Sequence, residues 1–298
     1  MSEQTISQLE AARSFMKEQA RAVDLALFEY EFEAGPADAV LQALRAYQNE
    51  DGGFGKGLEP DIRCAASSAY VTTIGLQYLA RVGAGEDHEM VQQAIGYLLA
   101  TFNSEKIGWD IVPPAVEQAP RAPWWNYEPD REDWGNPNAE IVGYLLKYSK
   151  WVPAEMIDRL TDHAIKYLER LENYEFHELL CFLRLQEQLP ESLREQVAGK
   201  IKAIVEHCVT VDPAQWEGYG LQPIQVVTSP ASPFYSQYAD VVQKNVEHLA
   251  SKQTESGCWE PTWTWGGLHE ELWEQAKVEW SGRLTVDHLL TLRAFDRL

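Results

Sequence analysis

The 298-residue sequence is short of positive charge. It has 25 Lys+Arg against 46 Asp+Glu, a formal net charge of −21. A chain this acidic repels a phosphate backbone, which excludes general nucleic-acid binding. Long hydrophobic runs are also missing. No apolar stretch nears the roughly 18 residues of a membrane span. The N-terminal fifteen residues lack the basic-then-apolar order of a signal peptide. Cysteine is sparse: Cys64, Cys181, Cys208 and Cys258 are scattered and form no C-x-x-C pair. That usage points to reduced thiols and a cytoplasmic location. There is no G-x-S-x-G elbow, no Walker loop, no G-x-G-x-x-G after a strand and no H-E-x-x-H. Nucleotide binding and serine-triad chemistry are therefore not expected.

Hydrophobic residues, at 45% of the chain, are ample for a core and exclude wholesale disorder. Their spacing is helical, and β-branched runs with period-two alternation are absent. The periodicity predicts helices over residues 4–33, 36–49, 65–82, 86–102, 137–149, 153–172, 174–188, 190–207, 233–253 and 280–297, with a short one near 220–228. The fold class is thus all-α, with about eleven helices in a single domain, 1–298. Long links at 49–64, 103–136, 208–219 and 254–279 almost alternate with short ones. In a ring of antiparallel helices, alternate links share one end, so the long ones would form one rim.

An internal repeat supports a ring. Leu44-Arg-Ala-Tyr-Gln-Asn-Glu-Asp-Gly-Gly-Phe54 matches Leu249-Ala-Ser-Lys-Gln-Thr-Glu-Ser-Gly-Cys-Trp259 in layout, and Gly108-Trp109 is a weaker third copy. Each passes from helix to Gln, turns through Gly and ends on an aromatic. Gln48-Asn-Glu-Asp-Gly-Gly-Phe-Gly55 and Gln253-Thr-Glu-Ser-Gly-Cys-Trp259 resemble the Q-x-x-D-G-G/S-W/F repeat of the squalene cyclase and protein prenyltransferase superfamily. The resemblance implies an α/α toroid with inner and outer helix rings around a central cavity. The motif is structural in that family, so it bears on fold more than on activity.

Tryptophan is the abundant residue, with 11 copies. Trp109, Trp124, Trp125, Trp134, Trp216, Trp259, Trp263, Trp265 and Trp273 all fall in the long links. These links also hold 19 Asp+Glu and 6 Lys+Arg, so −13 of the −21 is concentrated there. An acidic, aromatic rim suits sugar rings, apolar chains and cations. Trp109, Trp124, Trp125, Trp134, Trp216, Trp263 and Trp265 are the candidate substrate-binding residues. The alternative role for these tryptophans is to fasten long loops to the helices.

Three chemistries compete. By resemblance to the prenyltransferases, Asp61, Cys64 and His288 form a candidate zinc set, although Asp61-Ile-Arg-Cys64 has one residue more than the family's Asp-x-Cys. By resemblance to class II terpenoid cyclases, Asp130-Arg-Glu-Asp133 looks like their D-x-D-D acid. Third, a carboxylate pair would suit sugar chemistry. Its candidates are Asp61, Asp133, Glu140, Glu178 and Asp287, with His177 beside Glu178 at a helix start. The leading expectation is an enzyme acting on an apolar or cyclic small molecule in a central cavity by carboxylate acid–base chemistry. A carbohydrate-active α/α barrel and a non-catalytic binding or scaffold toroid are the alternatives.

Overall fold

The computed structural model describes residues 3–129, 131 and 133–298. Among them are twelve α-helices and no β-strand, only isolated bridges such as Gln48 with Phe54. The helices are α1 (Glu3–Gln19), α2 (Ala22–Phe32), α3 (Ala37–Arg45), α4 (Ala69–Arg81), α5 (Glu89–Ala100), α6 (Gly135–Lys147), α7 (Ala154–Arg170), α8 (Phe176–Gln188), α9 (Glu191–Cys208), α10 (Pro223–Val226), α11 (Tyr235–Ser251) and α12 (Glu270–Ala294). Among the described residues, no helix is long and apolar enough to cross a membrane.

The chain divides into two compact units. One comprises Met1–Ala43 with Val209–Leu298, the other Leu44–Cys208, and the boundary falls within α3. In the second unit, α6 packs on α4, α7 and α8, and α9 packs on α7 and α8. Burial patterns explain the arrangement. α7 buries Leu160, Ala164, Ile165 and Leu168, one stripe of an amphipathic helix. α6 instead buries Pro137 through Leu145 without a break, so neighbours cover it on most sides. In the first unit, α12 packs on α1, α2 and α11, and α10 packs on α11.

Two expected spans are corrected. Residues 4–33 form two helices, because Arg21 is extended (φ −61°, ψ 149°) and caps α2 while its guanidinium Nε donates to Asp24 at 2.6 Å. The last helix begins at Glu270, ten residues earlier than expected. Gly266, Gly267 and His269, all at positive φ, turn the chain into it, and Glu270 and Glu271 suit the positive end of the helix dipole. Trp273 and Lys277 are therefore helical residues, and the fourth long link is shorter than the sequence suggests.

The repeat folds the same way in each unit. Gln48 Nε2 donates to the Gly52 carbonyl at 2.9 Å, and Gln253 Nε2 donates to the Gly257 carbonyl at 2.8 Å. Asn49 and Thr254 each donate their N–H, at 2.9 Å, to the carbonyls of Gly53 and Cys258. Gly52 and Gly257 sit at φ 88° and 90°, a region that only glycine enters freely. The closing aromatic then gives its N–H to a buried hydroxyl on the next long helix: Phe54 to Thr72 Oγ1 (3.0 Å) and Trp259 to Thr285 Oγ1 (3.2 Å). The weaker copy keeps this last step, with Trp109 N–H on Asn138 Oδ1 at 2.9 Å. Thr72, Asn138 and Thr285 are buried polar side chains, and these bonds satisfy them.

Candidate functional site

The richest cluster of chemistry lies within the second unit, along the seam between α6 and α8. On α8, Glu178, Cys181 and Arg184 recur every three residues, which places them along one face. On α6, Glu140 and Tyr144 are four apart. Glu140 is only 3% exposed. A buried carboxylate requires donors, and Glu140 has them: Gln77 Nε2 at 2.8 Å from α4 and Arg184 Nη1 at 3.0 Å from α8. The Cys181 thiol lies 4.0 Å from the same carboxylate. Burial, reinforced by Glu140, pushes the Cys181 thiol and the Tyr144 phenol well above their usual values, with Arg184 pulling the other way. Tyr70 is raised too, by burial first and then by Glu59, Cys181 and Glu140. At neutral pH all three are therefore uncharged donors.

Glu178, at 2% exposed, is held differently. Its Oε1 accepts from the Gly135 N–H and from the Tyr167 hydroxyl, both at 2.7 Å. The Tyr167 oxygen in turn accepts the Trp134 N–H at 3.2 Å. Among the described residues, no cation is hydrogen-bonded to this carboxylate as Arg184 is to Glu140. Burial raises its pKa, and the two hydrogen bonds only partly offset that.

One turn back, Glu175 caps α8, accepting the N–H groups of His177 and Glu178. Its other oxygen lies 2.6 Å from His177 Nδ1. Burial works against the Glu175 carboxylate, but the His177 ring and the two amides hold its pKa below the usual range. This contact favours the Nδ1–H tautomer. The His177 side chain is 42% exposed and stacks on Phe176 at 4.0 Å.

Of the sequence candidates, Glu140 and Glu178 share this seam, and His177 precedes Glu178 at the start of α8. Asp133 also belongs to this unit and pairs through both oxygens with Arg131, Nε at 2.6 Å and Nη2 at 2.5 Å. Its companions Asp130 and Glu132 lie outside the described residues. Asp61 is buried in the loop before α4, and its carbonyl accepts the Ala122 N–H at 2.9 Å. Cys64 is buried nearby in sequence. Asp287, on α12 of the first unit, accepts from Arg283 at 2.9 Å. Among the described residues, no group of three or more His, Cys, Asp or Glu is placed to hold a metal ion. Asp61, Cys64 and His288 thus gain no support as a ligand set.

The tryptophans separate by burial. Trp109, Trp216 and Trp265 are buried, and the first two donate to the Leu98 and Thr210 carbonyls, both at 2.7 Å. Those two act as loop fasteners. Trp265 packs on Trp273. Trp134 is partly buried, bonded to the Ile107 carbonyl at 3.0 Å and packed on Tyr167. Trp125 is buried against Tyr70 at 4.4 Å. Trp263 packs edge-on against Trp280. Trp124, at 44% exposed, is the most open of the seven candidates.

His288 is a separate titration feature. Its ring packs edge-on against Trp259 at 5.7 Å, and its buried Nδ1 has no partner among the described residues. Burial lowers its pKa to about 4, against a smaller opposing effect of Asp287. A depressed pKa contributes stability above the unfolded value of about 6.5, which is lost as pH falls toward 4. Wild type is expected to lose about 2 kcal/mol more than His288→Leu between pH 7.5 and 4.5. Urea unfolding of both proteins at the two pH values checks this, and equal losses would contradict it.

Sequence reasoning missed Gln77, Tyr70, Tyr167, Glu175 and Arg184. A signal for Arg184 was present, since it continues the three-residue spacing of Glu178 and Cys181. No protein-family model, curated protein or solved structure matches this chain.

Proposed function

We propose that this chain is an enzyme that performs acid–base chemistry on a cyclic small molecule at the first turns of α8. Glu178 is the general acid, and His177, oriented by Glu175, is the general base. Their side chains leave the helix about 100° apart, so they address different parts of one ligand. The observation that carries this proposal is the pairing of opposites in one turn. One carboxylate is buried and kept toward its protonated form, and its neighbour is an accessible imidazole held by a carboxylate. A buried carboxyl kept toward its protonated form is the mark of a general acid, and an imidazole oriented by a carboxylate is a common general base. The polar seam of Gln77, Glu140 and Arg184 favours an oxygenated ring over a hydrocarbon chain. The repeat's resemblance supports placing this chemistry in an α/α toroid.

The test needs no prior substrate. Wild type, Glu178→Gln and His177→Gln are incubated with a small-molecule cell extract, and consumption is followed by mass spectrometry. Compounds consumed by wild type and spared by both variants are expected. Identical changes with all three proteins would remove the proposal.

A further inference from the structure

Arg184 is incompletely used. Among the described residues, only Nη1 meets an acceptor, Glu140 Oε2. Its Nε and Nη2, the edge that grips two oxygens at once, have no acceptor among the described residues. Arg131 in the same unit shows what that edge does when filled, taking both oxygens of Asp133. The Arg184 side chain is 40% exposed, so solvent reaches it, although its partner Glu140 is sealed. Two further donors nearby lack acceptors. The indole N–H of Trp125 is buried without a partner among the described residues. Tyr70, on whose ring Trp125 packs, donates its hydroxyl to no described residue. Tyr70 lies two turns before Gln77 on the same face of α4, the face from which Gln77 donates to Glu140, and both Tyr70 and Arg184 feel the charge of that carboxylate. An unpaired buried N–H costs about 1–3 kcal/mol, so such a group calls for an acceptor.

We infer that the Nε–Nη2 edge of Arg184 binds a carboxylate group on a small molecule, beside Tyr70. A planar two-oxygen anion matches that edge. Arg184 would be shared between Glu140 and the ligand, so repulsion from Glu140 and Glu178 is smaller for a monoanion than for a phosphate dianion. This inference rests on the proposed function only in identifying the ligand as the substrate.

Benzoate is the probe, with benzamide and phenyl phosphate as its neutral and dianionic counterparts. Binding to the full chain is measured by calorimetry and tryptophan fluorescence. Benzoate is expected to bind more tightly than either counterpart. Arg184→Lys keeps a cation for Glu140 but loses the two-nitrogen edge, and is expected to weaken benzoate about tenfold. Tyr70→Phe leaves the Arg184–Glu140 pair intact and is expected to weaken it several-fold, which keeps the test open if Arg184→Lys folds poorly. Benzamide or phenyl phosphate binding as well as benzoate, no benzoate binding, or unchanged affinity in the folded variants would overturn the inference. The two proposals fail separately: absent benzoate binding leaves the Glu178–His177 chemistry standing, and unchanged turnover in Glu178→Gln leaves the Arg184 site standing.

Discussion

Replacing Gly257 or Gly52 with alanine is expected to destabilise the protein by about 3–5 kcal/mol. That corresponds to a drop in Tm of about 10 °C. Two costs combine. Each glycine sits near φ 90°, where an L side chain is strained. Each also meets backbone at once: a Cβ would lie 2.3 Å from the Gln93 carbonyl oxygen at Gly52, and 2.2 Å from that of Ala11 at Gly257. Backbone cannot rotate away as a side-chain tip can. Gly83 separates the two costs, because it has φ 74° but nothing within 4 Å of its Cβ position. Gly83→Ala should cost only about 1 kcal/mol. Thermal unfolding of the three variants decides it, and equal small losses would mean that the repeat turn is not a close backbone approach.

The second large effect concerns activity. For any compound found to be consumed, Glu178→Gln should lower turnover about 10²- to 10⁴-fold, the usual range for a positioned general acid. Stability should move the other way. A carboxyl whose folded pKa is raised contributes stability fully below its unfolded pKa, and loses it as pH rises through the folded value. At neutral pH wild type has already lost part of that contribution. Glutamine offers Tyr167 and Gly135 the same acceptor without the charge. The variant should therefore be as stable as wild type, or more so, at pH 7.5, and relatively less favoured at pH 4. Urea unfolding at both pH values provides the check. A variant that loses activity and stability together at pH 7.5 would make Glu178 a structural strut.

The sequence and the structure agree where the cause is local. The glycine turns of the repeat were legible because Gln48 and Gln253 reach carbonyls only four residues away. The all-α class followed from periodicity, and the structure is helical throughout its described elements. The start of α12 at Glu270 is not marked in the sequence, because helix and loop tryptophans carry no distinguishing spacing. The seam was half legible. Glu178 and His177 stand out as ionisable residues opening a helix, whereas the pairing of Glu140 with Arg184 joins positions 44 apart in sequence. No local pattern announces such a pair. The tryptophans show the reverse problem. Their position in links was visible, but whether an indole faces a ligand or fastens a loop depends on which carbonyl lies near its N–H.

The protonation of Glu178 is the most direct test of the account. Carbon-13 NMR of the side-chain carboxyls, with Glu178→Gln to assign the resonance, follows its titration in the intact protein. Its midpoint is expected above the usual glutamate value of about 4.3. A midpoint at or below that value would show the carboxylate already ionised and unable to serve as the acid.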